Sequence, residues 1–424
     1  MSTTPSLPDP SEIRTSVRDF LAQLSAELRD LSLKIYNHPE LSFQEHFAAA
    51  TIRAYLETKA GVVVQDSKAK QETPTAFVAT FEHLVGEEHE ELVSVGFCSE
   101  YDALPIGHAC GHNLICISGV AAFLTTAFLL RRFHLRGRLT LFGTPGEEGL
   151  GGKINMLRAG DFDGIHFAMM LHPGNIDLAY PTYLAAQSLD VEYFGREAHA
   201  SSAPWDGVNA LDAMVCAFNA IAHVRQQLRP TDRVHGVITN GGAAPNIIPA
   251  YTSASMMVRA LTIGGLKEEV KPKVVACLEG GGKAAGCEFK LTEHPTYYDV
   301  NTNPTLTSIY TSELATQLGI SLPSPTDQRA ISRGSTDIGN VTYACPGIHN
   351  VFDIGCAAEI HSVEFLEHAK SEMAHERTLQ RVGCLVMVAV GVLTDKAVRD
   401  KARKEWEEER VRAVARGVEV RGWE

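Results

Sequence analysis

ELVSVGFCSEYDALPIGHACGHNLICISGVAAFLTTAFLLRRF, residues 91–133, holds three signals in succession. ELVSVGFC is short and rich in valine and phenylalanine, which predicts a strand. LICISGVAAFLTTAFLLRRF is apolar on all sides, which predicts a helix buried in a core. Between them SEYDALPIGHACGHN carries His108, Cys110 and His112, separated by alanine and glycine. Small spacers let the backbone turn tightly, and imidazole and thiolate are ligands for zinc and its neighbours. Taken alone, the trio reads equally as a buried cysteine between two hydrogen-bonded histidines. A strand, a polar loop and a buried helix in that order make half of a parallel crossover unit.

The same alternation extends outward. GRLTLFG (137–143) and IHFAMML (165–171) read as strands, and KINMLRAG (153–160) as the helix between them. Upstream, residues 11–36 and 44–61 carry apolar positions every three to four residues and read as helices. Near Pro181 the pattern changes. SLDVEYFG, a helix over 208–228, RVHGVIT, TSASMMVRAL, a helix over 266–281 interrupted by Pro272, and CEFKLTE give the order βαββαβ of a ferredoxin-like unit. GIHNVFDI (347–354) then resumes the first pattern, followed by one long helix, Val363–Thr394. The expectation is an α/β fold: a mixed, largely parallel sheet with helices on both faces forms a catalytic domain from residues 1–183 and 299–424. A smaller ferredoxin-like α+β lid or dimerisation domain, residues 184–298, is inserted in it. The charged tail from Lys401 to Glu424 reads as a solvated helix.

Bulk properties narrow the partners. A net charge of −13 argues against nucleic acid or an anionic membrane. The apolar stretches Leu114–Leu130 and Cys384–Leu393 read as core helices, since the first contains Ser118, Gly119, Thr125 and Thr126 and the second is too short to span a bilayer. MSTTPSLPDPSEIR shows neither a basic start nor an apolar run, and nine cysteines without regular spacing read as thiols of a reducing cytosol. A cytoplasmic location is expected.

Ligands of open α/β sheets bind beyond the carboxyl ends of the strands. Asp102, His108, Cys110 and His112 follow the first strand of the opening stretch; Glu147 and Glu148 follow GRLTLFG; His172 follows IHFAMML; His361 follows GIHNVFDI. Adjacent glutamates on a regular strand would point to opposite faces. Pro145 and the surrounding glycines break the strand into a loop where both carboxylates converge. A solvated acidic turn is the alternative for that pair taken alone. Five side chains, Cys110, His112, Glu148, His172 and His361, suit two divalent ions better than one tetrahedral ion, with the neighbouring carboxylate as general base.

HACGHN (108–113), the GEEG loop (146–149), LHP (171–173) and AAEIHS (357–362) together resemble metallopeptidase family M20, in its amidohydrolase subgroup. The likeness starts at YNHPELSFQE (36–45) and covers nearly the whole chain. SEYDALP, GREAHASSAPWDGVNALDA and RGSTDIGNV look nearest to the branch of Xaa-Arg and β-alanyl-lysine dipeptidases and aminobenzoyl-glutamate hydrolases. The resemblance implies that Cys110 bridges two divalent ions (zinc, manganese or cobalt), that His112, Glu148, His172 and His361 complete the set, and that Glu147 is the general base. Asp102 would stand behind the ligands, and His108 would make a structural hydrogen bond. His199 would stabilise the oxyanion, often in the other subunit's site, which implies a homodimer. Asn246 would face the substrate.

Arg259 is a candidate for a substrate carboxylate, because its planar fork suits that group. Ser335, Thr336 and Asp337 are candidates for the pocket lining. The expected activity is hydrolysis of a dipeptide or N-acyl amino acid amide. A specialised enzyme forming or trimming one amide at the same dinuclear site is the alternative. A cysteine hydrolase using Cys110 and His112 would leave the paired glutamates and His172 idle, and a metal-free binding protein would have no need of the ligand set.

Overall fold

The computed structural model describes residues 9–86, 91–331 and 334–415. The chain begins with helices α1 (Pro10–Tyr36) and α2 (His46–Glu57), then strands β1 (Val63–Asp66), β2 (Phe77–His83) and β3 (Ser94–Ser99). Helix α3 (His112–Arg132), β4 (Gly137–Gly143), α4 (Gly152–Arg158) and β5 (Phe167–Gly174) follow. The next segment gives β6 (Ala185–Phe194), α5 (Ala210–Val224), β7 (Arg233–Asn240), β8 (Tyr251–Ala260), α6 (Lys271–Ala285) and β9 (Glu288–Glu293). The chain closes with α7 (Pro304–Leu318), α8 (Pro325–Arg329), α9 (Ile338–Ala344), β10 (Gly347–Asp353), α10 (Val363–Ala369), α11 (Glu372–Thr394) and α12 (Lys396–Ala415).

The main sheet has the order β1-β2-β4-β3-β5-β10. Strands β4, β3, β5 and β10 run parallel, and β2 and β1 add an antiparallel edge. Side chains alternate between two cores. Val95, Phe97, Leu139, Leu141, Phe167 and Met169 face α1, α3 and α11, while Val78, Cys98, Phe142, Ala168 and Met170 face Met156 and Leu157 of α4 and Ile338 and Val341 of α9. Helix α3 lies so close to β3 that a Cβ at Gly119 would land on Ser99 Oγ and the Cys98 carbonyl. Both α3 and α11 are long and apolar enough to cross a membrane, but most of each is buried in the first core.

The second sheet, β7-β8-β6-β9, is antiparallel throughout, with α5 and α6 packed together over it, the strand order of a βαββαβ ferredoxin-like unit. Strand β8 alternates half-buried and buried side chains, whereas β7 is an exposed edge.

Several expectations are corrected. Strands β1 and β2, which the sequence did not announce, carry no clean period-2 signal; β2 forms by pairing with β4, and β1 by pairing with β2. Pro272 sits in the first turn of α6, where a missing N–H costs nothing, after a wide π turn over 265–270. The long helix expected over 363–394 is two, because Ser371 accepts from Ala374 N and starts α11 afresh. Helix α12 is not simply solvated: Ala402 is buried, and Trp406 Nε1 donates to the Thr342 carbonyl. Residues 416–424 of that tail lie outside the described residues.

Candidate active site

Four strand ends of the main sheet deliver the polar residues. Beyond β3 the chain passes Glu100 and Asp102 and turns at Gly111, whose φ of 78° is strained for a side chain, so that His112 opens α3. Beyond β4, Glu147 and Glu148 lie on a loop that closes against Gly152, where a Cβ would strike the Pro145 carbonyl. His172 was expected in a loop after its strand. It belongs to β5 itself, because β10 keeps pairing alongside as far as Gly174. His361, on the loop after β10, holds a φ of 68°, and its N–H donates to the Ala109 carbonyl at 2.9 Å.

Ligand-type atoms of Cys110, His112 and His172 lie within 4.8 Å of one another, and so do those of Cys110, Glu148 and His361. Cys110 is common to both groups. Cys110 Sγ is 3.5 Å from His172 Nε2, and His361 Nε2 is 3.3 Å from Glu148 Oε1. The other ring nitrogens are held from behind. His112 Nδ1 donates to Asp102 Oδ1 at 2.9 Å, and His172 Nδ1 donates to the Pro173 carbonyl at 2.7 Å. Asp102 Oδ2 in turn accepts from Glu148 N and Ser42 Oγ. His112 Nε2 and Glu148 Oε1 are buried without a hydrogen-bond partner. Orphaned nitrogen and carboxylate atoms beside a thiol are the donor set that a borderline-soft divalent ion satisfies.

A third cluster, Glu100, His112 and Glu147, overlaps the first. Here a buried lysine intervenes: Lys153 Nζ lies 2.5 Å from Glu100 Oε1 and 2.6 Å from Asp337 Oδ1, all three side chains fully buried. This ammonium makes the third cluster a poor place for a cation. It also ties the 334–337 segment to α4, since Lys153 N donates to Asp337 Oδ2.

Burial, with the carboxylates of Glu100 and Glu148, pushes Glu147 well above the usual carboxylate range. Burial pushes the Cys110 thiol well up as well, and holds His172 down to about 3. Burial works against a charged His112, but Asp102 and Cys110 outweigh it and hold the imidazole well above its ordinary value. Burial likewise opposes a charged Glu148, and the neighbouring imidazoles of His361 and His112 reverse it, leaving the group below its usual range. Neighbouring carboxylates thus sit in opposite states, one keeping its proton and the other ready to ligate.

A cavity of about 360 Å³ opens over the clusters. Cys110, Glu147, Glu148, His172 and His361 form its floor, and Arg259 of β8, Ser335 and Thr336 form a wall. Arg259 Nη1 donates to Ser335 Oγ at 3.3 Å, bridging the two sheets' units. Asp337 lies behind this wall on Lys153. His108 is buried away from the cavity, with Nε2 3.1 Å from the Ile35 carbonyl. His199 and Asn246 are not among the cavity's residues. They lie together on exposed loops of the second unit, where Ala200 N donates to the Asn246 carbonyl. Sequence reasoning missed Glu100, Lys153 and His349. The His349 ring is fully buried, 5.5 Å from that of His172, and its place in the apolar run GIHNVFDI gave no signal.

Residues 186–283 match the model of a peptidase dimerisation domain from family M20. The chain is 37% identical to the Xaa-Arg dipeptidase of Mus musculus over 388 residues, covering 91% of this chain and 90% of that one. It is 37% identical to the Xaa-Arg dipeptidase of Homo sapiens over 406 residues, 92% of each. Among solved structures, a dinuclear metal binding peptidase of the M20 family from Bacillus subtilis superposes with a TM-score of 0.62 at 20% identity, over 88% of this chain and 99% of that one. The fold and the site define a metal-dependent hydrolase of amide bonds. The chain belongs to metallopeptidase family M20.

Proposed function

We propose that this chain is a homodimeric cytoplasmic dipeptidase that holds two divalent ions, zinc, manganese or cobalt, and hydrolyses the amide bond of dipeptides or N-acyl amino acids. The observation that carries the reading is the two ligand clusters sharing Cys110, with the Glu147 carboxyl in the same cavity. Cys110, His112, Glu148, His172 and His361 would hold the ions. When bound, such ions polarise the scissile carbonyl and supply a nucleophile at neutral pH.

The chain's own residues do the rest. Glu147 takes a proton and returns it to the leaving amine, a task suited to a carboxyl whose proton affinity burial has raised. Asp102 fixes the His112 tautomer so that Nε2 is left for ligation. Arg259 receives the α-carboxylate of the substrate, with Thr336 on the same wall. Residues 1–183 and 299–424 act as the catalytic domain, and 184–298 as lid and dimerisation domain. A second chain brings His199 to the oxyanion, with Asn246 beside it. The exposed edge strand β7 supports such pairing, and nine free cysteines fit a reducing compartment.

The test is a panel of dipeptides and N-acyl amino acids, assayed before chelation, after it, and after metal add-back. Cleavage lost on chelation and restored by metal is expected; full activity in stably metal-free protein refutes the reading.

A further inference from the structure

The loop that carries Glu147 has little stiffness of its own. Residues 144–151 lie between β4 and α4, and Gly146, Gly149 and Gly151 take positive φ values of 68°, 97° and 67°. Side chains from distant segments impose its shape. Glu45 Oε1 accepts from Gly146 N at 2.9 Å, Asp102 Oδ2 accepts from Glu148 N at 3.0 Å, and Ser42 Oγ donates to the Glu148 carbonyl at 3.3 Å. The Glu147 carbonyl accepts from Tyr297 Oη at 2.7 Å, in a buried contact.

Tyr297 reaches the loop from the junction with the inserted unit. It lies on the segment that returns from β9 towards α7, and its backbone pairs with Ala186 of β6, each N–H donating to the other's carbonyl at 2.9 Å. Within the sheet, Ala186 pairs with Arg259 of β8. Arg259, Ala186 and Tyr297 therefore stand side by side on one ladder, and directly opposed residues share a face. Arg259 at one side of this row lines the cavity, and Tyr297 at the other holds the main chain of Glu147.

We infer that Tyr297 is a positioning residue that sets the Glu147 carboxyl at its working distance from a substrate anchored on Arg259. This rests on the reading above of Glu147 as general base and Arg259 as receptor of the α-carboxylate. In a dipeptide one α-carbon separates that carboxylate from the scissile nitrogen, so the anchor decides where the nitrogen lies. Proton transfer needs the carboxyl within about 2.6–3.2 Å of it. A glycine-rich loop left to itself does not hold that tolerance, and a displacement of about 1 Å costs about a hundredfold in rate. The phenol ties the loop to the ladder that carries Arg259, so anchor and base keep one spacing. Tyr297 is not among the described residues that line the cavity. Loss of its hydroxyl therefore leaves substrate binding in place and loosens the base.

The experiment introduces Tyr297→Phe into the metal-loaded full chain and, separately, into its Glu147→Gln variant. Steady-state rates are taken on the best-cleaved member of the dipeptide panel, with metal content and amide hydrogen exchange of residues 143–152 measured on the same preparations. Tyr297→Phe alone should lower kcat at least tenfold, keep KM and metal content within about twofold of the parent, and speed exchange in the loop. In the Glu147→Gln background the same change should alter kcat by less than twofold, because the group it positions is already gone. A role confined to general stability would cost the same factor in both backgrounds. Equal losses in the two backgrounds, a kcat within twofold of the parent, or unchanged loop exchange overturn the assignment. A parent inactive on the whole panel, or near-parental kcat in Glu147→Gln, overturns the functional reading instead, and loop exchange then still decides whether Tyr297 holds the loop.

Discussion

His112 Nδ1 lies 2.9 Å from Asp102 Oδ1, with both side chains closed off from solvent. The carboxylate reaches His112 from behind, and its other oxygen accepts from the Glu148 backbone. One buried anion thus orients an imidazole from one strand end and a carboxylate loop from another. Burial would raise the Asp102 carboxyl, but the His112 partner outweighs it and holds the group at about 2.

Replacing Asp102 by asparagine keeps the shape and removes the charge. Metal affinity should fall by about 10–100-fold, the usual cost of losing such a supporting carboxylate. Competition against a fluorescent chelator measures it directly. Unchanged affinity would mean that Asp102 plays no part in holding the ligands.

Glu147→Gln should retain the parent's metal content and lose about 10²–10⁴-fold in kcat, because the amide cannot accept a proton. Metal analysis and steady-state rates on one preparation separate the two effects. A variant with near-parental kcat would remove Glu147 from proton transfer.

Lys153 bridges Glu100 and Asp337 without exposure to water. Lys153→Met leaves two buried carboxylates uncompensated and should cost about 3–5 kcal/mol in urea unfolding. Adding Glu100→Gln and Asp337→Asn to it should recover much of that loss, since no buried charge then remains. A loss below about 1 kcal/mol for the single change would mean that water reaches the triad.

Acid sensitivity can be read at His375, far from the ligands. Its Nε2 is 3.0 Å from Ser25 Oγ, and burial, with Arg29 nearby, pushes its pKa from 6.5 down to about 4. The unfolded chain therefore takes up this proton first as pH falls, so the group's contribution to stability declines between pH 6.5 and 4 and levels off below. The slope for one such group approaches about 1.4 kcal/mol per pH unit. Urea midpoints of parent and His375→Gln across that range should converge as the pH falls; parallel curves would rule the contribution out.

Much of this molecule was legible from residue types and spacing. The stretch 91–133 announced a strand, a ligand-rich turn and a core helix, because an all-apolar helix beside a valine-rich strand has few other homes. The βαββαβ order fixed the second sheet by the same reasoning. What was hidden depends on partners distant in sequence. Lys153 sits in GLGGKINML and looks like the exposed start of a helix; only the meeting of α4 with Glu100 and Asp337 buries it. Strand β2 exists because β4 and β1 flank it, and its own residues, buried on both faces, show no alternation. His199 and Asn246 were reached through likeness to a family, and a single chain leaves them outside the cavity.

One feature of His361 bears on how long a molecule lasts. A non-glycine residue at a φ of 68° costs about 1–2 kcal/mol relative to ordinary backbone. A bound ion would help to offset that cost through the imidazole, alongside the contacts to Ala109 and Glu148. Stripped of metal, the 357–362 loop would lose one of its anchors and should be cut faster by a protease than in the loaded protein, which limited proteolysis with and without a chelator would measure. Metal scarcity would then thin out the molecules that cannot work, and the loop would act as a tag of disuse.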